Sequence, residues 1–182
     1  HGEIAQRAAA DFAAHGGLLA AEDFTAYRTS LAEPIWGAYR GHRIATNPPP
    51  SSGLSMLELL HILGNFDLAA LGHNSIAHVR LLAEAMKRMT IDKDAHMGDP
   101  AYVDVPVARL ISQEHAAAHA AAIRGGERAS VTRLDRSQRE TTHVSVVDAA
   151  GNAVALTHTL GSPSGAITEG LGFIWNGTMS RF

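Results

Sequence analysis

The chain has 182 residues, 46% of them apolar, a formal net charge of −3 and no cysteine. That length suffices for one domain with its own core. The missing thiols exclude disulfides and thiolate metal sites. The weak negative charge offers no nucleic-acid surface and no polybasic membrane patch. No apolar run approaches the roughly 20 residues of a membrane span, and no signal peptide is visible.

In chain order, Glu3 to His15 carries Ile4, Ala8 and Phe12 at helical spacing, and Gly16-Gly17 stops it. Ala21 to Tyr27 reads as a short helix with Glu22 and Asp23 in its first turn. Glu33 to Tyr39 and His42 to Thr46 read as two strands around Arg40-Gly41, ended by the proline run that begins at Asn47. Ser51 or Ser52 is placed to cap a helix from about Gly53 to Leu63, apolar enough to be buried. Asn74 or Ser75 opens a longer helix to about Asp94, with Ile76, Val79, Leu82, Ala83, Met86 and Met89 as its expected core stripe. Pro106 to Ile111 is a helical turn, and Ser112 is placed to cap a helix from Gln113 to Ile123. Residues 125–140 are polar and glycine-led, and read as a mobile linker. There is no internal repeat.

The stretch from Thr141 to Asp148 then reads as a strand, with Thr142, Val144 and Val146 on one face and Thr141, His143, Ser145 and Val147 on the other. Asp148-Ala149-Ala150-Gly151-Asn152 is a turn signal, and Ala153 to Leu160 a second strand. Together they predict a β-hairpin with Thr141 at its outer end.

Two other constellations compete for a role. His115 and His119 stand at i and i+4 on one helix face, a spacing compatible with zinc. The pattern is not His-Glu-x-x-His, and no third ligand is evident, so it reads as the polar face of an alanine-rich helix. Asp92, Asp94, His96 and Asp99 do not fit a calcium loop and read as helix-end and turn chemistry, with metal binding a lesser alternative. Gly125-Gly126 lacks the Lys and Ser/Thr of a phosphate loop.

Several blocks, in order along nearly the whole chain, resemble the γ-glutamyltransferases (glutathione hydrolases). They are Glu140-Thr141-Thr142-His143 with the strand, Asp-x-x-Gly-Asn turn and second strand that follow; Asn47-Pro48-Pro49-Pro50-Ser51-Ser52-Gly53; and Gly16-Gly17-Leu18-Leu19 with Asp23-Phe24 and Tyr27-Arg28. The resemblance implies an N-terminal-nucleophile hydrolase, made as one chain and cut between Glu140 and Thr141. It implies an α+β fold, part of a four-layer αββα sandwich. Residues 1–124 would be the later, mostly helical part of a large subunit, 125–140 a linker to the processing site, and 141–182 the β opening of a small subunit. On this reading the chain is an internal fragment, since it opens as if mid-helix and closes just after a strand. Thr141 is the expected nucleophile, and Thr159 the residue whose hydroxyl meets it within hydrogen-bond reach. Gly161, Asn176, Thr178 and Arg181 are expected to bind substrate.

No cofactor or metal is expected. The implied partners are a γ-glutamyl or related amide, an amino acid, peptide or water acceptor, and the two subunits of one precursor. The implied setting is periplasmic or secreted, with a cytoplasmic one left open. The chain departs from the family pattern in several places: Gly161 stands where the family commonly has Asn or another polar residue, the stretch from Ser162 to Ile167 is shorter than usual, and Thr178 and Arg181 stand where the family presents Gln and Asp to the substrate's α-amine. A guanidinium there suits a carboxylate and repels an ammonium. Two readings follow for the acyl group, γ-glutamyl or a dicarboxylic (glutaryl-type) relative. A third is that this stretch alone folds but does not react.

Overall fold

The structure is a computed structural model that describes residues 2–132, 140–161 and 163–177, with backbone only for Glu140 and Thr141. In order, the elements are α1 (Glu3–Ala14), α2 (Ala21–Ala26), β1 (Ile35–Tyr39), β2 (His42–Thr46), α3 (Gly53–Leu63), α4 (Ile76–His96), α5 (Val107–Leu110), α6 (Gln113–Arg124), β3 (Glu140–Val147), β4 (Ala153–Gly161), β5 (Pro163–Ile167) and β6 (Ile174–Asn176). The described strands pair as three two-stranded antiparallel ladders, β1–β2, β3–β4 and β5–β6. The mixed helix-and-strand make-up agrees with the expected class. The chain divides into two compact units, residues 31–133 and residues 1–30 with 134–182.

The first unit, residues 31–133, is built on α3. Leu54, Leu57 and Ile62 are fully buried, and Ile62 and Leu63 pack with Leu81 and Ala85 of α4 and Ala116 of α6. Each large side chain so taken from water contributes about 1.5–3 kcal/mol. The β1–β2 hairpin lies against α3 at Gly37, where an added Cβ would meet Leu57 at 2.6 Å. Gly53 lets the start of α3 back onto the Asn47 carbonyl and the Thr46 side chain. His61 Nδ1 lies 2.8 Å from the Ile111 carbonyl and ties α3 to the end of α5. Ser75 and Ser112 cap α4 and α6 as expected, each hydroxyl accepting at 3.1 Å from an N–H three residues on. Ser52 holds the N-cap position of α3 but its side chain makes no capping bond, so that expectation fails.

The expected stripe of α4 holds only in part: Leu82 packs half-buried against the core and Met89 is half-buried. Ile76, Val79 and Met86 are exposed, at 79%, 52% and 51%, and the buried residues are Leu81, Ala85, Arg88 and Asp92. The inward face is chosen by polar partners. Arg88 reaches Glu84 at 3.5 Å and Glu127 at 3.4 Å, and Asp92 meets two histidines of α6. The presumed linker is likewise anchored at its start. The Arg88 guanidinium donates to the Glu127 carbonyl at 3.2 Å, and the Ala129 N–H to Glu84 Oε2 at 2.9 Å.

In the other unit, Trp175 of β6 meets Phe12 of α1 and Phe173 edge-on, with ring centroids 5.2 and 5.1 Å apart, and Phe24 of α2 lies 6.1 Å away. The buried Thr168 hydroxyl is shared: it donates to Asp11 Oδ2 at 2.6 Å and accepts from the Trp175 indole N–H at 3.0 Å. Arg7 donates to the Glu169 carbonyl at 2.8 Å. Thr168→Val keeps the shape and leaves the indole N–H without its acceptor. We expect it to cost about 1–2 kcal/mol, read as a lower urea midpoint at unchanged slope, with Thr168→Ser recovering most of the loss.

Candidate active site

The site begins at a turn. Asp148 Oδ1 accepts from the N–H groups of Ala150 at 2.9 Å and Asn152 at 2.8 Å, and Oδ2 from the Asn152 side-chain amide at 2.8 Å. Gly151 takes a φ of +85°, which a glycine adopts without a Cβ penalty. These donors, the Asn152 side chain first, hold the Asp148 carboxyl below its usual range. The turn fixes the register of β3 on β4: Val147 faces Ala153, Val144 faces Leu156, His143 faces Thr157 and Thr141 faces Thr159. Because side chains alternate in a strand, Thr141, His143 and Ser145 share a face with Thr157 and Thr159. His143 lies 2.8 Å from the Thr157 hydroxyl and 3.0 Å from that of Ser145, so this face is polar around His143 and turns apolar at Val147, opposite Ala153. The other face is apolar and exposed at Val144, Val146, Val154 and Leu156.

The register shifts between Glu140 and Thr141, and Glu140 stands opposite Gly161. The extra residue, Leu160, therefore lies on β4, opposite the peptide bond expected to be cut. At the end of β4, the Gly161 N–H donates to the Thr159 hydroxyl at 3.0 Å, and Gly161 is buried with φ +70°. The Leu160 carbonyl accepts from the Gly177 N–H at 3.0 Å, which brings Asn176 beside this end. Backbone register thus gathers Glu140, Thr141, Thr159, Gly161 and Asn176. The expected hydroxyl contact of Thr159 rests on the Thr141 side chain, which is not described, and Thr178 and Arg181 lie outside the described residues.

A second polar cluster stands in the unit of residues 31–133. Glu58 of α3, Asp92 of α4 and His115 and His119 of α6 bring one ligand atom each within 4.8 Å of one another. Burial, with Asp92 beside it, pushes the Glu58 carboxyl up to about 9. Burial also works to raise Asp92, but hydrogen bonds from His119, Glu58 and His115 outweigh it and hold that carboxyl well below its usual range. The sequence signalled the histidine pair and Asp92 separately. Glu58, inside an apolar helix, carried the one missed signal: a charge on a face meant for the core.

The chain belongs to the gamma-glutamyltranspeptidase family, whose model matches residues 1–182. It is 42% identical to the acylase ACY 1 proenzyme of Pseudomonas sp. (strain V22), over 97% of this chain and 33% of that protein. It is 35% identical to the glutathione hydrolase proenzyme of Escherichia coli (strain K12), over 100% of this chain and 33% of that protein. Among solved structures it resembles a cephalosporin acylase from Bacillus halodurans, with a TM-score of 0.77 at 28% identity, covering 96% of this chain and 32% of the other. The chain therefore spans about a third of the length of these relatives.

The Asp148 turn gives a test of what sets the register. A carboxyl held low when folded contributes stability that is fully present above its unfolded value of about 3.9 and is lost as pH falls through the folded value. Amide exchange across the β3–β4 ladder is expected to show extra opening in that acid window. Asp148→Asn should open the ladder several-fold more at neutral pH and remove the dependence.

Proposed function

We propose that the whole protein cuts its own chain between Glu140 and Thr141 and then uses Thr141 as the nucleophile of an amide hydrolase or acyltransferase. The observation that carries this is the register: Thr141 stands directly opposite Thr159, and the pairing shifts at the Glu140–Thr141 step, where β4 carries the extra residue Leu160. Family membership and the proenzyme names of two relatives support it.

Within a chain the Thr141 nitrogen is an amide and has no basicity. Attack of the Thr141 hydroxyl oxygen on the Glu140 carbonyl carbon, with loss of the C–N bond, moves the acyl group from nitrogen to oxygen and leaves an ester. Water cleaves that ester, giving a Glu140 carboxylate and a free Thr141 α-amine. Such an amine has a reference pKa of about 7.7–8.0 and serves as general base near neutral pH. Nucleophile and base then belong to one residue. In turnover the amine takes the hydroxyl proton as Oγ attacks the substrate amide, the amine product leaves, and water or an amine acceptor releases the acyl group. Thr159, directly across the ladder, is the partner for the Thr141 hydroxyl, at about 2.5–3.0 Å in a formed site. In this reading the β3–β4 hairpin is part of an αββα sandwich, and residues 125–140 end a large subunit whose small partner opens at Thr141. The 182-residue stretch alone is expected to remain uncut and inactive, because the apolar face of its hairpin lies open.

Thr141→Ala in the whole protein is expected to leave a single uncut chain by intact mass. Cleavage at the same bond in that variant would remove the intramolecular mechanism.

For the acyl group, γ-glutamyl amides such as glutathione and dicarboxylic amides compete. Arg181 favours the second. With processed enzyme, kcat/KM is expected to be about ten-fold or more higher for a glutaryl amide than for the matching γ-glutamyl amide, one well-placed charged contact being worth about that. Arg181→Asp should narrow or reverse the ratio. A wild-type preference for the γ-glutamyl amide, or a ratio that the substitution leaves unmoved, restores the glutathione reading.

A further inference from the structure

The cluster at Glu58, Asp92, His115 and His119 is built unlike a solvated polar face. Asp92 Oδ2 lies 2.9 Å from Nε2 of both histidines, and those two nitrogens lie 3.0 Å from each other. Glu58 Oε1 lies 3.8 Å from His115 Nε2. The Glu58 side chain is 1% exposed, and its Oε1 has no hydrogen-bond partner. A buried carboxyl oxygen without a partner is costly, and proteins resolve it by holding the group neutral, by pairing it or by coordinating a metal.

Protons alone leave this arrangement strained. Two N–H donors 3.0 Å apart would converge on one oxygen at a narrow angle, and a neutral Glu58 bonded to Asp92 would still leave its Oε1 without a donor of its own. A cation placed among the four atoms satisfies all of them. Around tetrahedral zinc at about 2.0–2.2 Å, neighbouring donors stand roughly 3.3–3.6 Å apart. The separations seen here, from 2.9 Å to at most 4.8 Å, bracket that spacing. Two neutral imidazoles and two carboxylates also suit the ion's borderline character and balance its charge.

The surroundings are consistent. His96 Nε2 sits 4.0 Å from Asp92 Oδ1 but lies 2.7 Å from an Arg109 guanidinium nitrogen, which occupies its lone pair. Arg109 is thereby held at the rim as the nearby cation, and His96 is left out of the ligand set. We propose that Glu58, Asp92, His115 and His119 form a closed four-ligand site for one zinc ion, pinning α3, α4 and α6 together. All four ligands come from protein, so no position remains for water, and the role is structural rather than catalytic.

The test uses purified whole protein and needs no substrate. Dialysed wild type is expected to retain about one zinc per chain by elemental mass spectrometry. Stripping with a chelator should lower the melting temperature, and zinc chloride should restore it. Cobalt chloride added to stripped protein should give the strong visible bands of four-coordinate cobalt. Glu58→Gln and His119→Ala should each weaken zinc binding by at least the 10–100-fold typical of a disturbed metal shell. Should a variant fail to fold, His119→Gln and the stripped wild type carry the same readouts. The proposal is overturned if folded wild type holds no zinc and its melting temperature ignores chelator. Weak six-coordinate cobalt bands, or strong bands that persist in His119→Ala, overturn it equally.

Discussion

The register of β3 on β4 is the constraint on which the candidate active site rests. In a two-residue repeat, a slip of one position would turn Thr141 and His143 to the apolar face and bring Val144 onto the polar one. Neither face of this hairpin is deeply buried, so packing contributes little to choosing the pairing. The choice falls to the five residues from Asp148 to Asn152, where one carboxylate collects three donors. A solvent-exposed aspartate, seven residues and about 23 Å of strand from Thr141, thus decides which residue stands opposite Thr159.

In the unit of residues 31–133 polar burial, rather than apolar periodicity, orients the longest helix. Ile76, Val79 and Met86 would make a better apolar stripe on paper than Leu81, Ala85, Arg88 and Asp92. Arg88 and Asp92 nevertheless face inward because each has partners waiting: Glu84 and Glu127 for one, His115 and His119 for the other. An unpaired buried charge costs several kilocalories, more than the exposure of one or two apolar side chains. Once those partners exist, rotating α4 to bury Ile76 would cost more than it returned.

Much of the local structure was legible in the sequence. The helices from Glu3, Gly53, Ser75 and Ser112, the strands around Arg40-Gly41 and the hairpin at Asp148–Asn152 follow from capping residues, glycines and two- or four-residue spacing. The inward face of α4 was not legible, because its choice depends on side chains 20 to 40 positions away. The meeting of Glu58 with Asp92 and the histidine pair was hidden for the same reason: three helices supply it, and no local pattern joins them. The start of the linker looked loose from its glycines and charges, yet Arg88 and Glu84 hold it at Glu127 and Ala129. Thr141 and Thr159 were legible as a pair because a hairpin is the one long-range contact that a short turn writes directly.

The placement of the two tryptophans gives each compact unit its own optical reporter. Trp175 sits in a ring of Phe12, Phe24 and Phe173, with its N–H held by Thr168. Trp36 is half-exposed on β1, with the Arg43 guanidinium 4.5 Å above its ring. One indole emits from a surround of aromatic rings and the other beneath a cation facing water, so their emission differs in wavelength and in response to quenchers. Intrinsic fluorescence of this protein therefore distinguishes cooperative unfolding of the two units from their separate melting, without any label.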